Sequence, residues 1–277
     1  MKLIINSPAK INFGLFITQR REDGFHNIET IFYPLQLCDE IVMRECDHLL
    51  IETDNPDLNI DIENNLIFKA VKLMESKTGR PLNCRINLEK RIPMGAGLGG
   101  GSSNAASVLL GLNDLFDLKF SKDDLRGFGA ELGSDVPFFI HPVPSFGAGR
   151  GEILTPLDFA LEGVMVVVNP GIHVATGPAY KNCKPGKAPF NLLELNEQKS
   201  FDYNKLRYVI KNSFEETVFI DHPEIGKVKE RFFKAGAEFA LMSGSGSTVF
   251  GIFDSTKKAE EFTKTLPQNY FVHIEEL

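Results

Sequence analysis

Residues Pro93–Ala106 read PMGAGLGGGSSNAA, with five glycines among the seven residues from Gly95 to Gly101. Ahead of them, Cys84, Ile86 and Leu88 alternate as one face of a strand; behind them an apolar helical pattern runs through Leu115. A strand, a glycine-rich turn and a helix N-terminus in that order make a cradle for phosphate. Glycine permits positive φ and close approach of the backbone to a ligand, and first-turn amides with the helix dipole favour an anion. Ser102 and Ser103 add hydroxyls that reach a phosphate or a magnesium ion. A bare strand-to-helix turn needs one or two glycines. Phosphate binding by Pro93, Met94, Gly95, Ala96, Gly97, Leu98, Gly99, Gly100, Gly101, Ser102 and Ser103 is therefore the expectation, with Ser102 or Ser103 as the metal ligand.

Other phosphate loops fit less well. Gly95, Gly97 and Gly100 match the spacing G-x-G-x-x-G. However, the loop lies a third of the way along the chain, Pro93 separates it from the strand, and no βαβ rhythm surrounds it. No G-K-[ST] closes a Walker motif, and the H-R-D and D-F-G signatures are absent.

The whole chain has 277 residues, 43% hydrophobic and 24% charged, which is ordinary for a soluble globular protein of two domains. Its net charge of −7 argues against a nucleic-acid-binding surface. Phosphate must then be held by local backbone dipoles and a few chosen lysines. Cys38, Cys46, Cys84 and Cys183 show no CxxC pairing, which fits reduced thiols in the cytoplasm. The six histidines lack HExxH spacing, so no built-in zinc site is expected. No apolar run approaches membrane-spanning length. Asn6, Pro8, Lys10 and Asn12 interrupt the N-terminal apolar residues, so the chain reads as mature protein from its first residue.

Periodicity places strands at 2–6, 10–17, 30–35 and 40–45. It places a helix capped by Asn64 and Asn65 with Ile67, Val71 and Met74 on its inner face. Ser121 with Asp124 reads as a capping box opening a helix that ends near Gly133. The glycine-rich segment 147–151 divides the chain into domains at 1–150 and 151–277. The second part reads as a buried strand at 164–168, a long loop from 171 to 187, and helices at 204–218 and 223–235, the latter with Pro223 in its first turn. Two strands then flank SGSGS (Ser243–Ser247), followed by a helix from Ser255 and a strand near 270–275. This interleaving without parallel regularity predicts two α+β domains with a ligand crevice between them.

Three further pieces carry candidate chemistry. In Pro8-Ala9-Lys10-Ile11-Asn12, Lys10 and Asn12 lie two apart on one strand and so on one face. In Gly133-Ser134-Asp135-Val136-Pro137-Phe138-Phe139 a lone acid leads an apolar run. Read singly, each has an ordinary structural explanation, a snorkelling lysine and a turn aspartate. SGSGS is either a hairpin loop or a second donor-rich loop facing the ligand.

Taken together, the glycine-serine loop, the SGSGS turn and PAKIN resemble the phosphate loop, C-terminal glycine motif and N-terminal motif of the GHMP small-molecule kinases, over nearly the whole chain. PAKINFGLFITQRREDGFHNIETIF from Pro8, NNLI from Asn64, LGSDVPFF from Leu132 and GRGEIL from Gly149 resemble the branch acting on a cytidine-diphosphate methylerythritol in non-mevalonate isoprenoid synthesis. The resemblance implies an α+β fold of two domains, the second ferredoxin-like, with the active site in the cleft between them. It implies ATP and Mg2+ as cofactors and a small-molecule substrate without nucleic acid or membrane. A cytoplasmic monomer or weak homodimer goes with that reading. It makes Lys10 and Asp135 the catalytic pair: an aspartate accepting the hydroxyl proton, an ammonium keeping it ionised. Asn12 and Thr176 would hold substrate, Phe25 and Tyr180 would sandwich the cytosine, and His26 would hydrogen-bond its edge. Asn65 and Leu66 would contribute to the adenine pocket. The sequence departs from the family at Phe25, where tyrosine is frequent, and at Tyr180, where phenylalanine can stand. A homoserine, mevalonate or sugar kinase, a catalytically silent sensor on the same fold and a dinucleotide-dependent oxidoreductase are the competing readings.

Overall fold

A computed structural model of the chain describes residues 1–55, 64–198 and 200–277. These fall into two units, each assembled from separated stretches: 1–10, 34–94 and 99–142 in one, 11–33, 95–98 and 143–277 in the other. Strand β1 (Lys2–Arg20) starts in the first unit and ends in the second, while β2 (His26–Glu45) runs from the second to the first. Each replaces two expected shorter strands. The apolar pattern of β1 breaks at Ser7, Lys10 and Asn12, but all three are buried and bonded, so the extended backbone continues through them.

The first unit continues with β3 (Leu50–Thr53), α1 (Leu66–Thr78), β4 (Cys84–Glu89), α2 (Gly100–Leu115), α3 (Lys122–Leu132) and α4 (Val136–Phe139). Strand β4 lies antiparallel to the end of β2, with Glu40 opposite Glu89, and parallel to β3. Asn65 caps α1 by accepting a hydrogen bond from the Ile67 amide at 2.9 Å, and Ile67, Ala70, Val71 and Met74 form its buried stripe. That helix packs on α2, whose inner face holds Ala105, Val108, Leu109 and Leu112. Ser121 and Asp124 form the expected capping box at the start of α3.

The second unit adds β5 (Ser145–Ala148), β6 (Ile153–Pro156), β7 (Val164–Asn169), α5 (Thr176–Asn182), α6 (Tyr203–Val209), α7 (Glu215–Asp221), α8 (Pro223–Lys234), β8 (Phe239–Met242), β9 (Val249–Phe253), α9 (Thr256–Thr263) and β10 (Phe271–Glu276). Strand β5 pairs with the start of β2, and the turn at 149–152 returns the chain as β6. Strands β10, β7, β9 and β8, in that order, make an antiparallel sheet. With α8 and α9 it gives the split β-α-β-β-α-β arrangement. Val166, Val168, Phe232, Val249, Phe253 and Phe262 sit in its core.

The helix expected at 204–218 is two helices. Between them Leu15 of β1 donates to the Lys211 carbonyl at 2.9 Å and accepts from the Ser213 amide at 2.8 Å, which pulls residues 211–213 out of helical geometry. The expected loop after β7 contains α5, whose start has no side-chain cap to announce it. No helix among the described residues is long and apolar enough to cross a membrane.

Candidate active site

Strand β1 delivers Lys10 into the first unit, and the turn between α3 and α4 delivers Asp135. Their ammonium and carboxylate stand 3.5 Å apart, with side chains 4% and 32% exposed. Asp135 occupies the N-cap position of α4 without capping it, so its carboxylate is not spent on the helix amides. Burial pulls the Lys10 ammonium below the ordinary lysine range, and Asp135 opposes that through its charge and a hydrogen bond. Gly99 lies against this pair from the same unit. Gly99, at φ +71°, ends the loop where a Cβ would lie 2.8 Å from the Phe139 ring and 3.2 Å from Lys10 Cε. A half-exposed acid beside a buried amine can take a proton and stabilise the oxyanion left behind.

Helix α2 begins at Gly100 with no side-chain cap, which leaves its first-turn amides to an anion. Ser102 is partly exposed there. Ser103 is fully buried and accepts a hydrogen bond from the Ser7 hydroxyl at 2.8 Å. The two serines are thus distinguished: Ser102 has access to a ligand and Ser103 belongs to the packing beneath. Leu66 lies against the same turn, 3.7 Å from where a Gly101 Cβ would stand. Asn65 holds the cap of α1, while Met94 is 44% exposed and touches the Asn55 amide.

Asp39 of β2 was not singled out by the sequence, yet its carboxylate is wholly buried at the base of the loop. It pairs with Lys90 and accepts from the amides of Arg91 and Ile92 at 2.7 and 2.8 Å and from Asn104 Nδ2 at 2.9 Å. Desolvation pulls the Lys90 ammonium down, and Asp39 opposes it.

In the second unit, the loop segment 95–98 meets the SGSGS turn. Ser243 donates its hydroxyl to the Gly97 carbonyl at 2.9 Å and accepts from the Asn12 amide at 3.1 Å. The Thr248 amide donates to the Ala96 carbonyl at 3.2 Å. Two asparagines fix the turn: Asn212 Nδ2 donates to the carbonyls of Met242 and Gly244, and Asn169 Nδ2 to the hydroxyls of Ser247 and Thr248. Neither was evident beforehand, because each takes its meaning from partners 30 or more residues away. The Asn12 side chain is buried and donates to Thr30 Oγ1 at 2.9 Å. Thr176 shares a hydrogen bond with Ser245 at 3.2 Å.

The aromatic residues form two pairs. His26 and Tyr180 stack with ring centroids 5.3 Å apart and planes at 28°, and Tyr180 also meets Phe214 edge-on at 4.8 Å. Phe25 is 52% exposed, an unusual exposure for a phenylalanine, and the Arg150 guanidinium lies 4.9 Å from its centroid. Burial and then Arg20 hold the His26 imidazole below its ordinary pKa. The neutral ring carries one donor and one acceptor nitrogen.

Comparison with known proteins places this geometry in context. Residues 65–142 match the model of the GHMP kinases N terminal domain, and residues 194–272 that of the GHMP kinases C terminal region. The chain is 39% identical over 251 residues to a 4-diphosphocytidyl-2-C-methyl-D-erythritol kinase of Bacteroides thetaiotaomicron, covering 89% of this chain and 90% of the relative. It is also 39% identical to the Chlorobium phaeobacteroides enzyme of the same name, over 98% and 96% of the two chains. A crystal structure of 4-(cytidine 5'-diphospho)-2C-methyl-D-erythritol kinase superposes with a TM-score of 0.80 at 34% identity, covering 99% of this chain and all of that one. The Methanococcus jannaschii mevalonate kinase, at 13% identity and a TM-score of 0.75, shares the fold.

Proposed function

The chain belongs to the GHMP kinase family, and from that premise we propose that it transfers the terminal phosphoryl group of ATP to the 2-hydroxyl of 4-diphosphocytidyl-2-C-methyl-D-erythritol. The observation that carries the reading is the Lys10–Asp135 pair held under Gly99 at the end of an uncapped glycine loop. Asp135 accepts the proton of the attacking hydroxyl, and the Lys10 ammonium holds the charge that develops on its oxygen. A positioned base contributes ~10²–10⁴-fold. The loop amides and the start of α2 hold the phosphates in line, and positioning with charge neutralisation is most of what phosphoryl transfer asks of a protein.

A magnesium ion keeps several waters and takes one or two protein ligands plus phosphate oxygens, and the accessible Ser102 hydroxyl at the start of α2 is a donor of that type. When bound there it would neutralise charge on the β- and γ-phosphates. Ser102 is the serine for that role, since Ser103 is turned into the packing. Asn65, Leu66 and the Pro93–Met94 approach would frame the adenine, and Asn12 and Thr176 the substrate. The reaction would run in the cytoplasm on a small soluble molecule.

The cytidine end is read by Phe25, His26 and Tyr180. The open face of Phe25 is suited to stacking on a base, worth ~1–3 kcal/mol, and the neutral His26 to hydrogen-bonding its edge. Phe25→Ala is expected to raise KM for the cytidylyl substrate on the order of tenfold to a hundredfold while leaving KM for ATP unchanged, as steady-state kinetics with each substrate varied would show.

The activity itself is tested by incubating the protein with ATP, magnesium and the cytidylyl alcohol, following ADP release and the new phosphate monoester by phosphorus NMR. ADP release that does not depend on the alcohol would refute the assignment. Faster turnover of a polyol lacking the nucleotide would move the enzyme to another branch of the family.

A further inference from the structure

We propose that Asp39 is a positioning residue for the nucleotide, clamping the entry and the exit of the glycine loop to one rigid strand. The inference rests on ATP being bound at that loop. Between the end of β4 at Glu89 and the start of α2 at Gly100 the chain has no regular secondary structure. An anion-binding loop of this composition works only if its amides are already oriented, since ordering glycines on binding is entropically costly.

Asp39 supplies that order from below. At the entry its carboxylate takes the amides of Arg91 and Ile92 and the ammonium of Lys90. At the exit it takes the Asn104 amide, one turn into α2. Asn104 also donates to the Ser7 hydroxyl at 3.0 Å, and Ser7 donates to Ser103. Five buried side chains thus tie β1, β2, the loop entry and the first turn of α2 into one network. Asp39 sits beside the register pair Glu40–Glu89, so its own backbone is held by the sheet.

The charges are arranged to suit an anion. A lone carboxylate beneath a helix N-terminus would repel phosphate, but here it is matched by Lys90. The ammonium lies beside the first residue of that helix: a Cβ at Gly100 would stand 2.9 Å from Lys90 Nζ. The ammonium therefore lies beside the first residue of α2 while the carboxylate takes the entry amides, and Asp39 holds Lys90 there. Asp39 touches no reacting atom, so its influence passes through the loop to ATP and not to the alcohol.

The test compares purified Asp39→Asn with the wild type and with Ser121→Ala, which removes a capping hydroxyl on α3 and destabilises without touching the network. For Asp39→Asn, KM for ATP is expected to rise about tenfold and nucleotide affinity by calorimetry to fall in parallel, with KM for the cytidylyl alcohol within about twofold of wild type. For Ser121→Ala, the melting temperature falls and both KM values stay put. A folded Asp39→Asn enzyme that binds ATP normally, or loses kcat/KM for both substrates alike, would overturn the proposal. Should Asp39→Asn fail to fold, Asn104→Ala cuts the exit arm and leaves the Asp39–Lys90 pair intact. The same ATP-selective loss is expected of it, and an even loss for both substrates counts against the clamp. Calorimetry with ATP alone keeps this result separate from the substrate assignment, since it reads the clamp whichever alcohol the wild-type enzyme accepts.

Discussion

Asp135→Asn is expected to cut kcat by at least ~10²-fold while leaving ATP affinity, measured by calorimetry, nearly intact. The substitution keeps the shape of the side chain and removes its ability to take a proton. It leaves untouched the loop amides proposed to hold the nucleotide. The same variant should shift the alkaline limb of the pH–rate profile. In the proposed mechanism Lys10 works as an ammonium, and its charged form is already disfavoured by burial, so activity is expected to be retained below its lowered pKa and lost as pH rises through it, short of the ordinary value of 10.5. In the wild type the charge and hydrogen bond of Asp135 push that pKa back up; without them the limb moves to lower pH. A variant with undiminished kcat, or a limb that does not move, would remove the base role from Asp135.

The second large effect is expected at Gly97. Its backbone adopts φ +78°, and a Cβ there would stand 2.2 Å from the Ser243 carbonyl oxygen and 3.2 Å from that of Gly246. Both obstacles are main chain, so neither can swing aside. Gly97→Ala must push the loop off the SGSGS turn, breaking the Ser243 hydroxyl bond to the Gly97 carbonyl. A displacement of about 1 Å in positioning elements costs ~10²-fold in rate, and kcat/KM for ATP should fall by at least that much. Gly101→Ala provides the contrast. There the nearest neighbour is the Leu66 side chain at 3.7 Å, ordinary contact distance, and kinetics close to wild type are expected. Equal behaviour of the two variants would show that the close approach at Gly97 has no functional weight.

Much of the site could be read from the sequence because its signals are local. The glycines announce the loop through the backbone angles they alone adopt easily. Asn65 and the Ser121–Asp124 box announce helix starts through side-chain bonds that reach two or three residues along the chain. Pro223 at the first turn of α8 is of the same kind. The Lys10–Asp135 pair was different: 125 positions separate the two, and only the family resemblance joined them. Asp39 and Asn212 escaped notice for that reason without such help. A lone aspartate in a strand and a lone asparagine between helices look unremarkable until the fold brings their donors and acceptors to them. Long-range pairing also explains the continuous β1 and the broken helix at 210–214. In the first case buried polar groups hid an extended segment, and in the second a bridge to Leu15 overrode helical periodicity.

Asn169 and Asn212 hold the SGSGS turn with neutral amides, which neither titrate nor attract counterions. Changing the buffer from acid to alkaline, or raising its ionic strength, should therefore leave the shape of this turn alone. Curvature in a plot of rate against pH then has its origin elsewhere than in these two asparagine clasps.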